Sequence, residues 1–498
     1  MTATATTASG ALNAAVSSPC FSPAAALPAP PASISSAFRF PVVRWLLLLF
    51  LAAVPARGGT ITVNSAADPA GYNPYITLAQ LGPTITFRDA LNAANSGGGA
   101  NTINFAPELA GSIITLNHMQ EDNGPSAFVV GFDHIASHVT IQGLTGENGI
   151  TLAANGAMRL FLVYNQSSSL TLNDLTLANG KVLGTGGGAM RIHNATVTLN
   201  RCSITQNTSY LGGAFYMENG WLVLNNCTVA NNRAARDPYQ FYLGAGGGFY
   251  NERGYVTLTN CTVEGNSAER GGGIYNEIGV TTLVNTIVAQ NFNELTPYHQ
   301  IQGFLAAGSH HNLIGSNPPS SPFGGNTGGL ENGVNNNIVT NSSVFLNGMS
   351  PNGGPTHTAA LLRGSPAINA GATVAGITTD QRGVARPQFS LADIGAFEFD
   401  TPATQSLTVT TLTDENNGNS DSTFGTGTSL REALIYAQSL GGPRTITFDP
   451  SLAGKTVLLN TGWTDANDAS ALNVTGQISL QGPATGPGVT IGMASGVQ

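Results

Sequence analysis

The sequence predicts an all-β fold, a right-handed parallel β-helix (a solenoid) with short capping helices. Two observations predict it: signatures that recur about every 25 residues, and short alternating strands between glycine and asparagine turns. The chain has 498 residues, of which 62 are glycine and only 9% are charged. This composition favours turn-rich β-structure over a helical enzyme or a charged disordered chain.

Residues 1–56 are predicted to be a leader and signal peptide. Arg39 and Arg44 precede the apolar run 45–54, and Val54-Pro55-Ala56 offers the small residues that a signal peptidase accepts. The run is about 10 residues long, whereas a helix that spans a bilayer needs roughly 20. No second run of that length follows. We therefore expect an exported protein, secreted or at the cell surface, whose mature chain has no transmembrane span.

Glycine-rich tetrads mark successive coils of the predicted β-helix. They begin at Gly187, Gly212, Gly246 and Gly271, at intervals of 25, 34 and 25 residues. An aliphatic residue followed three positions later by asparagine repeats with the same steps. These pairs are Ile204 with Asn207, Val229 with Asn232, Val263 with Asn266, and Val288 with Asn291. The longer step is therefore one coil with an insertion, which we place at 233–243.

Stacking would turn each repeat position into a column of like residues. Segments such as 256–259 alternate as half-buried strands do, and such strands bury a face only if coils stack at about 4.8 Å. The spacing places Asn226, Asn260 and Asn285 in one column, where side-chain amides can hydrogen-bond along the stack. Cys202, Cys227 and Cys261 form the next column. The cysteines are either a buried thiol ladder or include a disulfide between neighbouring coils.

A short helix is predicted to cover the first coil, because an open solenoid would expose strand edges. The helical pattern 87–95 ends before three glycines and is followed by strand-like segments. The same arrangement recurs 343 positions later at 429–434, where Ser429 and Glu432 have the spacing of a capping box. We therefore expect the chain to begin a second, incomplete β-helix.

Three groups of motifs resemble bacterial families of exported proteins. Residues 429–433, and less closely 87–90, look like the CSLREA domain, with Thr428 in place of its leading cysteine. The Gly-Gly and aliphatic-x-x-Asn repeats are similar to those of polymorphic outer membrane proteins and pectin-lyase-like β-helices. Five motifs resemble a choice-of-anchor Q domain: 312–315, 353–356, 364–367, 379–383 and 393–398. The resemblance implies export and β-helix architecture, and it implies no catalytic residues.

The repeats and motifs together predict five regions in the chain. They are a leader and signal peptide (1–56), a CSLREA-like cap with the first coils (57–155), coils with Gly-Gly repeats (156–300), choice-of-anchor Q-like C-terminal coils (301–400), and a second, incomplete CSLREA-like start (401–498).

Acidic and aromatic residues at equivalent repeat positions form the candidate binding site. The acids, which follow His193 in the same column, are Glu218, Glu252 and Glu277. Two residues earlier, on the same strand face, lie Tyr216, Tyr250 and Tyr275. Carboxylates one coil apart would be about 5 Å from each other, and aromatic faces beside acids suit sugar binding. An exposed ladder is a solvated surface, whereas a half-buried one should bind a cation such as Ca²⁺ or raise a carboxyl pKa.

Other polar clusters predict structure rather than chemistry. Five charged residues are expected to form an ion-pair network that closes the last coil, or less readily a calcium site: Asp380, Arg382, Arg386, Asp393 and Glu398. His310-His311 is expected to be a loop element rather than a metal site. The sequence contains no CxxC, G-x-S-x-G or H-E-x-x-H motif, so no catalytic residue or metal ligand is assigned, and calcium is the only cofactor considered.

Two functions remain open at this stage. The first is a non-enzymatic secreted or surface protein that uses its rigid stack for adhesion, binding carbohydrate or another cell-surface ligand. The second is a polysaccharide lyase or glycoside hydrolase on the same scaffold, with Glu252 in a groove beside Arg253 or Arg270. The net charge of −9 offers no basic patch for phosphate, so we do not expect nucleic acid as a partner.

Overall fold

The computed structural model describes residues 58–494 with internal gaps. The gaps are 119, 122–128, 131–134, 157, 184–185, 238–242, 294–299, 316–326, 363, 389, 401–404, 417–419, 421–425, 461–462, 465–468 and 471. The predicted leader and signal peptide, and residues 238–242 of the predicted insertion, lie outside the described residues.

The regular secondary structure of the described chain is mostly β, and most strands belong to large parallel sheets. The eight-stranded sheet contains Thr60–Val63, Ala100–Phe105, His138–Gln142, Ser169–Asn173, Ala195–Asn200, Gly220–Asn225, Tyr255–Thr259 and Val280–Val284. The nine-stranded sheet contains Ile113–Leu116, Ile150–Ala154, Leu175–Ala178, Ser203–Thr205, Thr228–Ala230, Thr262–Glu264, Ile287–Ala289, Leu313–Gly315 and Ile338–Thr340. The six-stranded sheet contains Phe161–Tyr164, Met190–His193, Phe215–Met217, Phe249–Asn251, Ile274–Asn276 and Ile301–Gln302. Four short strands form another sheet: Thr208–Ser209, Arg233–Ala234, Ser267–Ala268 and Phe292–Asn293.

Successive coils pair in the register that the repeat predicts. Leu199, Leu224, Leu258 and Leu283 are consecutive partners in the eight-stranded sheet, and all four are buried. The steps between them are 25, 34 and 25 residues, as between the glycine tetrads. Because successive side chains of a strand point to opposite faces, the leucines line the core while the residues between them face outward. The prediction of an all-β chain built on parallel stacked strands is therefore confirmed.

A buried ladder of asparagines connects four coils. Its members, each at most 1% exposed, are Asn207, Asn232, Asn266 and Asn291. Each amide nitrogen donates to the next asparagine's Oδ1 at 2.9 Å, and Gln300 Oε1 ends the series at the same distance. Since every buried amide group needs a hydrogen-bond partner, this ladder couples the spacing of one coil to that of the next.

A second asparagine column is the one that the sequence predicts as an amide ladder. Its side chains hydrogen-bond partly to each other and partly to the C-terminal part of the chain. Asn226, Asn260 and Asn285 all have left-handed backbones, with φ of 51°, 50° and 49°, as their position in a turn requires. Asn285 Nδ2 donates to Asn260 Oδ1 at 2.9 Å. Asn226 Nδ2 instead donates to the carbonyl of Thr379 at 2.9 Å. One hydrogen bond of this column thus follows the stack and another holds the C-terminal part of the chain.

The three cysteines form a column of free, buried thiols. Cys202 N–H donates to Cys227 Sγ at 3.3 Å, and Cys261 N–H donates to Thr286 Oγ1 at 3.4 Å, so the column continues into the next coil. The sequence allows either a buried thiol ladder or a disulfide between neighbouring coils, and the structure contains the thiol ladder.

The cysteine thiols should be unreactive in the folded protein. Burial raises the pKa of the Cys227 thiol well above its usual value, and the thiolate is the reactive form. We expect a maleimide at pH 8 to leave Cys202, Cys227 and Cys261 unmodified before unfolding and to modify all three in denaturant, as read by peptide mass spectrometry. Modification of any of them in the native protein would contradict the buried column.

The C-terminal region contributes coils only at its start. Leu313–Gly315 and Ile338–Thr340 extend the nine-stranded sheet, whereas the described residues of 344–399 contain isolated bridges but no strand. This segment folds back over the outer face of the nine-stranded sheet. Thr228 Oγ1 donates to Gln381 Oε1 at 2.7 Å, and Ala396 N–H donates to Thr262 Oγ1 at 3.0 Å. The middle strands of the sheet are therefore buried on both faces, on one side by the core and on the other by residues 344–399; they are Ser203–Thr205, Thr228–Ala230, Thr262–Glu264 and Ile287–Ala289.

The predicted ion-pair network lies within this folded-back segment. Arg382 pairs with Asp380 at 2.8 Å and Arg386 with Glu398 at 2.9 Å, all four side chains being buried. Asp393 joins through its backbone, since its N–H donates to Glu398 Oε2 at 3.0 Å and its carbonyl accepts from Arg386 at 2.9 Å. The network forms as predicted, but it lies beside the nine-stranded sheet and not beyond the last coil.

Each copy of the internal duplication contains one helix, which follows the first strand of that copy. Helix α1 (Phe87–Ser96) buries Phe87 and Leu91 in the main core, and helix α2 (Leu430–Leu440) buries Leu430 and Leu434 in a separate cluster. Both helices begin with a capping box, Thr86 with Asp89 and Ser429 with Glu432, of which the sequence predicted the second.

A buried ion pair is repeated together with the helices. Arg88 pairs with Asp68 at 2.6 Å and Arg431 with Asp414 at 2.8 Å. Each aspartate also accepts a backbone N–H at 2.7 Å, from Asn117 and Asn460 respectively. Asn117 and Asn460 are 343 positions apart, as are Arg88 and Arg431, so the duplication extends to side-chain contacts.

The remaining elements are short. The second copy has parallel strands Thr408–Val409, Arg444–Phe448 and Ile478–Gln481, and a further parallel pair, Thr456–Leu459 with Thr490–Met493. Antiparallel pairs join Gln120–Glu121 to Val129–Val130 and Trp463–Thr464 to Ala469–Ser470. The 3₁₀ turns are Leu78–Gln80, Pro107–Leu109, Val334–Asn336 and Pro450–Leu452. In the described part of the chain, neither helix has the length and apolar character needed to cross a bilayer.

Candidate functional site

The tyrosines of the candidate site form a stacked ladder on the six-stranded sheet. Tyr216, Tyr250 and Tyr275 are register partners in consecutive coils, with ring centroids 5.4 and 5.0 Å apart. Their strand neighbours Phe215 and Phe249 face the core, so the tyrosines face outward. Tyr250 is nevertheless only 9% exposed, because the rings above and below cover it. The ladder therefore offers ring edges and hydroxyl groups rather than open ring faces.

Two of the glutamates, Glu252 and Glu277, pair with a tyrosine of the preceding coil. Tyr216 donates its hydroxyl hydrogen to the carboxylate of Glu252, and Tyr250 donates to Glu277 Oε2 at 2.6 Å. Burial and these hydrogen bonds raise the pKa of both tyrosines above the usual value. The sequence predicted that the six residues come together. It did not predict that a tyrosine of one coil would pair with the glutamate of the next coil.

Glu218 contacts two basic side chains of the coil before it. Arg191 Nη2 lies 2.7 Å and His193 Nδ1 3.0 Å from Glu218 Oε2, and the Arg191 guanidinium lies 5.3 Å from the centre of the Tyr216 ring. Burial alone would raise the pKa of Glu218, but the hydrogen bond from Arg191 and the nearby His193 hold it below the usual value. The expectation that a half-buried ladder raises a carboxyl pKa is therefore wrong for Glu218.

Glu252 has one predicted basic neighbour within reach. Arg253 Nη1 lies 2.7 Å from Glu252 Oε1, whereas the other carboxylate oxygen, Oε2, accepts the hydrogen bond from the Tyr216 hydroxyl group. Within the described ranges, no group of three or more His, Cys, Asp or Glu side chains is placed to hold a metal ion. The calcium site considered from the sequence stays a prediction.

An exposed aromatic pair lies one turn after the tyrosine–glutamate ladder. Trp221 and Tyr255 are register partners at the start of Gly220–Asn225 and Tyr255–Thr259. Their rings stack with centroids 5.8 Å apart and planes 12° apart, and the residues are 53% and 52% exposed. Sequence reasoning missed this pair, although both residues occupy the same repeat position 34 residues apart.

A row of asparagine side chains lies on the outer face of the eight-stranded sheet, the sheet that also contains Trp221 and Tyr255. Asn200 Nδ2 donates to Asn173 Oδ1 at 2.7 Å, and Asn225 Nδ2 donates to Asn200 Oδ1 at 3.0 Å. Asn225 and Trp221 share a strand and a face, and four residues of strand separate them by about 13 Å. The outer face of the eight-stranded sheet thus has a pair of aromatic rings near the start of its strands and a row of asparagine side chains at their ends.

Comparisons with known proteins found no relative of this chain. The chain matches no family model, no curated protein and no solved structure.

Proposed function

We propose that this protein is an exported right-handed β-helix that binds carbohydrate without catalysis, at the outer face of the eight-stranded sheet. The observation that carries the proposal is the exposed, stacked pair Trp221 and Tyr255. Exposed tryptophan and tyrosine side chains offer an apolar ring face together with a polar N–H or O–H group. Such residues are frequent among the few that contribute most of the binding energy of an interface. The proposed ligand is a polysaccharide at a cell surface, and the proposed role is adhesion.

The surroundings of the aromatic pair support a sugar ligand. A sugar presents an apolar C–H face and a rim of hydroxyl groups, so it needs both a ring to stack on and hydrogen-bonding groups beside it. Asn200 and Asn225 supply amide groups on the same face. The tyrosine–glutamate ladder lies just before the turn that leads to Trp221 and Tyr255. We propose that its hydroxyl and carboxylate groups contact the same ligand; the residues are Tyr216, Glu218, Tyr250, Glu252, Tyr275 and Glu277.

The handedness and the export of the chain have separate support. Parallel strands joined by a crossover in one sheet are right-handed in about 98% of cases, which favours a right-handed helix of coils. The apolar run 45–54 and the resemblance to CSLREA, polymorphic outer membrane protein and choice-of-anchor Q sequences favour a secreted or surface location.

Removing either ring of the aromatic pair should weaken carbohydrate binding. We expect Trp221→Ala and Tyr255→Ala each to weaken binding to glycans identified on an array by about tenfold or more, because a lost aromatic anchor costs at least about 1–2 kcal/mol. Tyr75→Ala, which removes an exposed tyrosine from a loop, is the matched control and should bind normally. Equal binding by all three variants would contradict a site on this face.

A second candidate function is polysaccharide cleavage, which the contact of Glu252 with Arg253 and Tyr216 favours. Carboxylate, guanidinium and phenol groups in contact could position and deprotonate a uronate sugar. A degradation screen of uronate polymers with Glu252→Gln distinguishes the two functions. Turnover that this substitution abolishes would support the enzyme, whereas glycan binding without turnover supports adhesion.

A further inference from the structure

A cavity of about 560 Å³ lies between the nine-stranded sheet and the folded-back segment. The turns after three successive strands form one side, and the loop 347–350 forms the other. The lining residues are Asn231, Glu264, Gly265, Gln290, Phe292, Asn347, Gly348, Met349 and Ser350. Glu264 is the only charged or titratable residue among them, and it lies apart from the carbohydrate face proposed above.

Glu264 reaches the cavity from the middle of the nine-stranded sheet. Its strand neighbour Val263 lies in the main core, so Glu264 points to the opposite face, where it is 4% exposed. The register partners of Glu264 are Ala230 and Ala289 in the coils on either side. Both partners have only a methyl side chain, and the Glu264 side chain between them lines the cavity. A backbone N–H from Met349 is the hydrogen-bond donor to this carboxyl group.

Among the described residues that line the cavity, none carries a charge that would compensate the carboxyl group. No ion pair to Glu264 is found in the described part of the chain, and the other lining residues are neutral. Burial raises the pKa of Glu264 to about 7, despite the hydrogen bond from Met349. A buried ionised carboxylate without a counter-charge is costly, so a cation that entered the cavity would gain a strong partner.

We propose that this cavity binds a small organic cation, an ammonium group on an apolar stem, whose charge is met by Glu264. The side chains of Phe292 and Met349 offer apolar and aromatic surface for the stem, and aromatic rings also attract ammonium groups directly. The amide groups of Asn231, Gln290 and Asn347 can accept the remaining N–H hydrogens. A calcium ion fits less well, because it needs six to eight oxygen ligands and the lining supplies one carboxylate.

Binding at this site should strengthen as pH rises. A cation binds the ionised carboxylate, and a group with a pKa of about 7 is mostly ionised at pH 8 and mostly protonated at pH 5.5. The ionised fraction, and with it the affinity, should fall about 30-fold between these two pH values. Calorimetry in buffers of different ionisation enthalpy should show proton release on binding at pH 6.5, since the bound cation keeps Glu264 ionised.

The test uses phenethylammonium as the probe and 2-phenylethanol as its neutral analogue, with the full chain in calorimetry and ligand-observed NMR. We expect binding of phenethylammonium at pH 8, about 30-fold weaker binding at pH 5.5, and no binding of the alcohol. Glu264→Gln should abolish binding, while the matched variant Glu331→Gln, at an exposed position, should bind normally. Ala289→Leu, which fills the space beside the carboxyl group and keeps its charge, should also abolish binding.

Four outcomes would overturn the proposal. Two concern the probe: no binding of phenethylammonium at pH 8, or equal binding of the alcohol. The other two are retained binding in a Glu264→Gln variant that unfolds with the wild-type cooperativity, and displacement of the probe by calcium at a stoichiometry of one. None of these outcomes depends on glycan binding at Trp221, which is measured separately.

Discussion

Replacing Asn232 with leucine is expected to lower the free energy of unfolding by about 2–6 kcal/mol, since two or more buried polar groups lose their partners at about 1–3 kcal/mol each. The side chain of Asn232 accepts the backbone N–H of Asn207 at 3.0 Å and donates to the carbonyls of Ile204 and Ala230 at 2.9 and 3.0 Å. Leucine has a similar volume but can satisfy none of these groups. Urea denaturation followed by circular dichroism measures the change.

Asn225→Leu is the matched control for this prediction. Asn225 lies in the same coil, but it is half-buried on the outer face and donates one hydrogen bond, to Asn200 at 3.0 Å. Its loss should cost about 0.5–1.5 kcal/mol, as is typical of a single hydrogen bond. If the two substitutions have equal effects, the buried ladder is not what couples the coils.

Replacing Arg386 with methionine should destabilise the folded-back segment by about 3–5 kcal/mol, because it leaves Glu398 buried without its charge partner. Arg386 also donates to the carbonyls of Asp393 and Gly395, at 2.9 and 2.6 Å. Burial and the Glu398 charge raise the pKa of Asp393 to about 7, and burial also raises the pKa of Glu398. Both groups therefore take up protons as the pH falls, and a protonated carboxyl group needs no counter-charge.

The destabilisation by Arg386→Met should accordingly be larger at pH 8 than at pH 5. A carboxyl group whose folded pKa is raised contributes stability below its unfolded pKa and loses it as pH rises through the folded value. Arg253→Met is the control, because the Arg253 side chain is 54% exposed and its pair with Glu252 should contribute less than about 1 kcal/mol. Limited proteolysis should cut within 344–399 first in the Arg386 variant, and a pH-independent loss would contradict the account.

The coils could be predicted because parallel stacking gives each repeat position the same neighbours in every coil. The 25-residue steps therefore placed Cys202 over Cys227 correctly, although they could not show whether the thiols were oxidised. The same steps marked Asn207 and Asn232 as a signature, but not as the buried amide ladder. Spacing alone does not show which of two asparagine columns points inward.

The folded-back segment could not be predicted, because its contacts join residues far apart in the chain. Thr228 and Gln381 are 153 positions apart, and no local pattern near either residue indicates the other. A signal was present in the strands themselves, since Thr228–Ala230 and Thr262–Glu264 carry mostly small or β-branched side chains on both faces. Strands buried on both faces show this lack of alternation.

The sequence predicted that the tyrosines and glutamates of the ladder come together, but not how they pair. Tyr216 and Glu252 are 36 positions apart, in different coils, so the residues two positions apart within one coil were the obvious pairs from the sequence. Trp221 and Tyr255 were overlooked because a lone exposed aromatic residue carries little information. Their stacking becomes visible only when the register of the strands is known.

Oxidation of engineered cysteine pairs tests the stacking of coils most directly. Thr257 and Thr282 are register partners on the outer face, so their Cα atoms should lie about 4.8 Å apart, within the range that a disulfide bridges. Thr257 and Val280 share the same two strands but are displaced by two residues, at about 8 Å. Parallel stacking in this register predicts rapid disulfide formation in Thr257→Cys/Thr282→Cys and little in Thr257→Cys/Val280→Cys. Equal oxidation of both pairs, or faster oxidation of the second, would contradict the parallel register on which every functional argument depends.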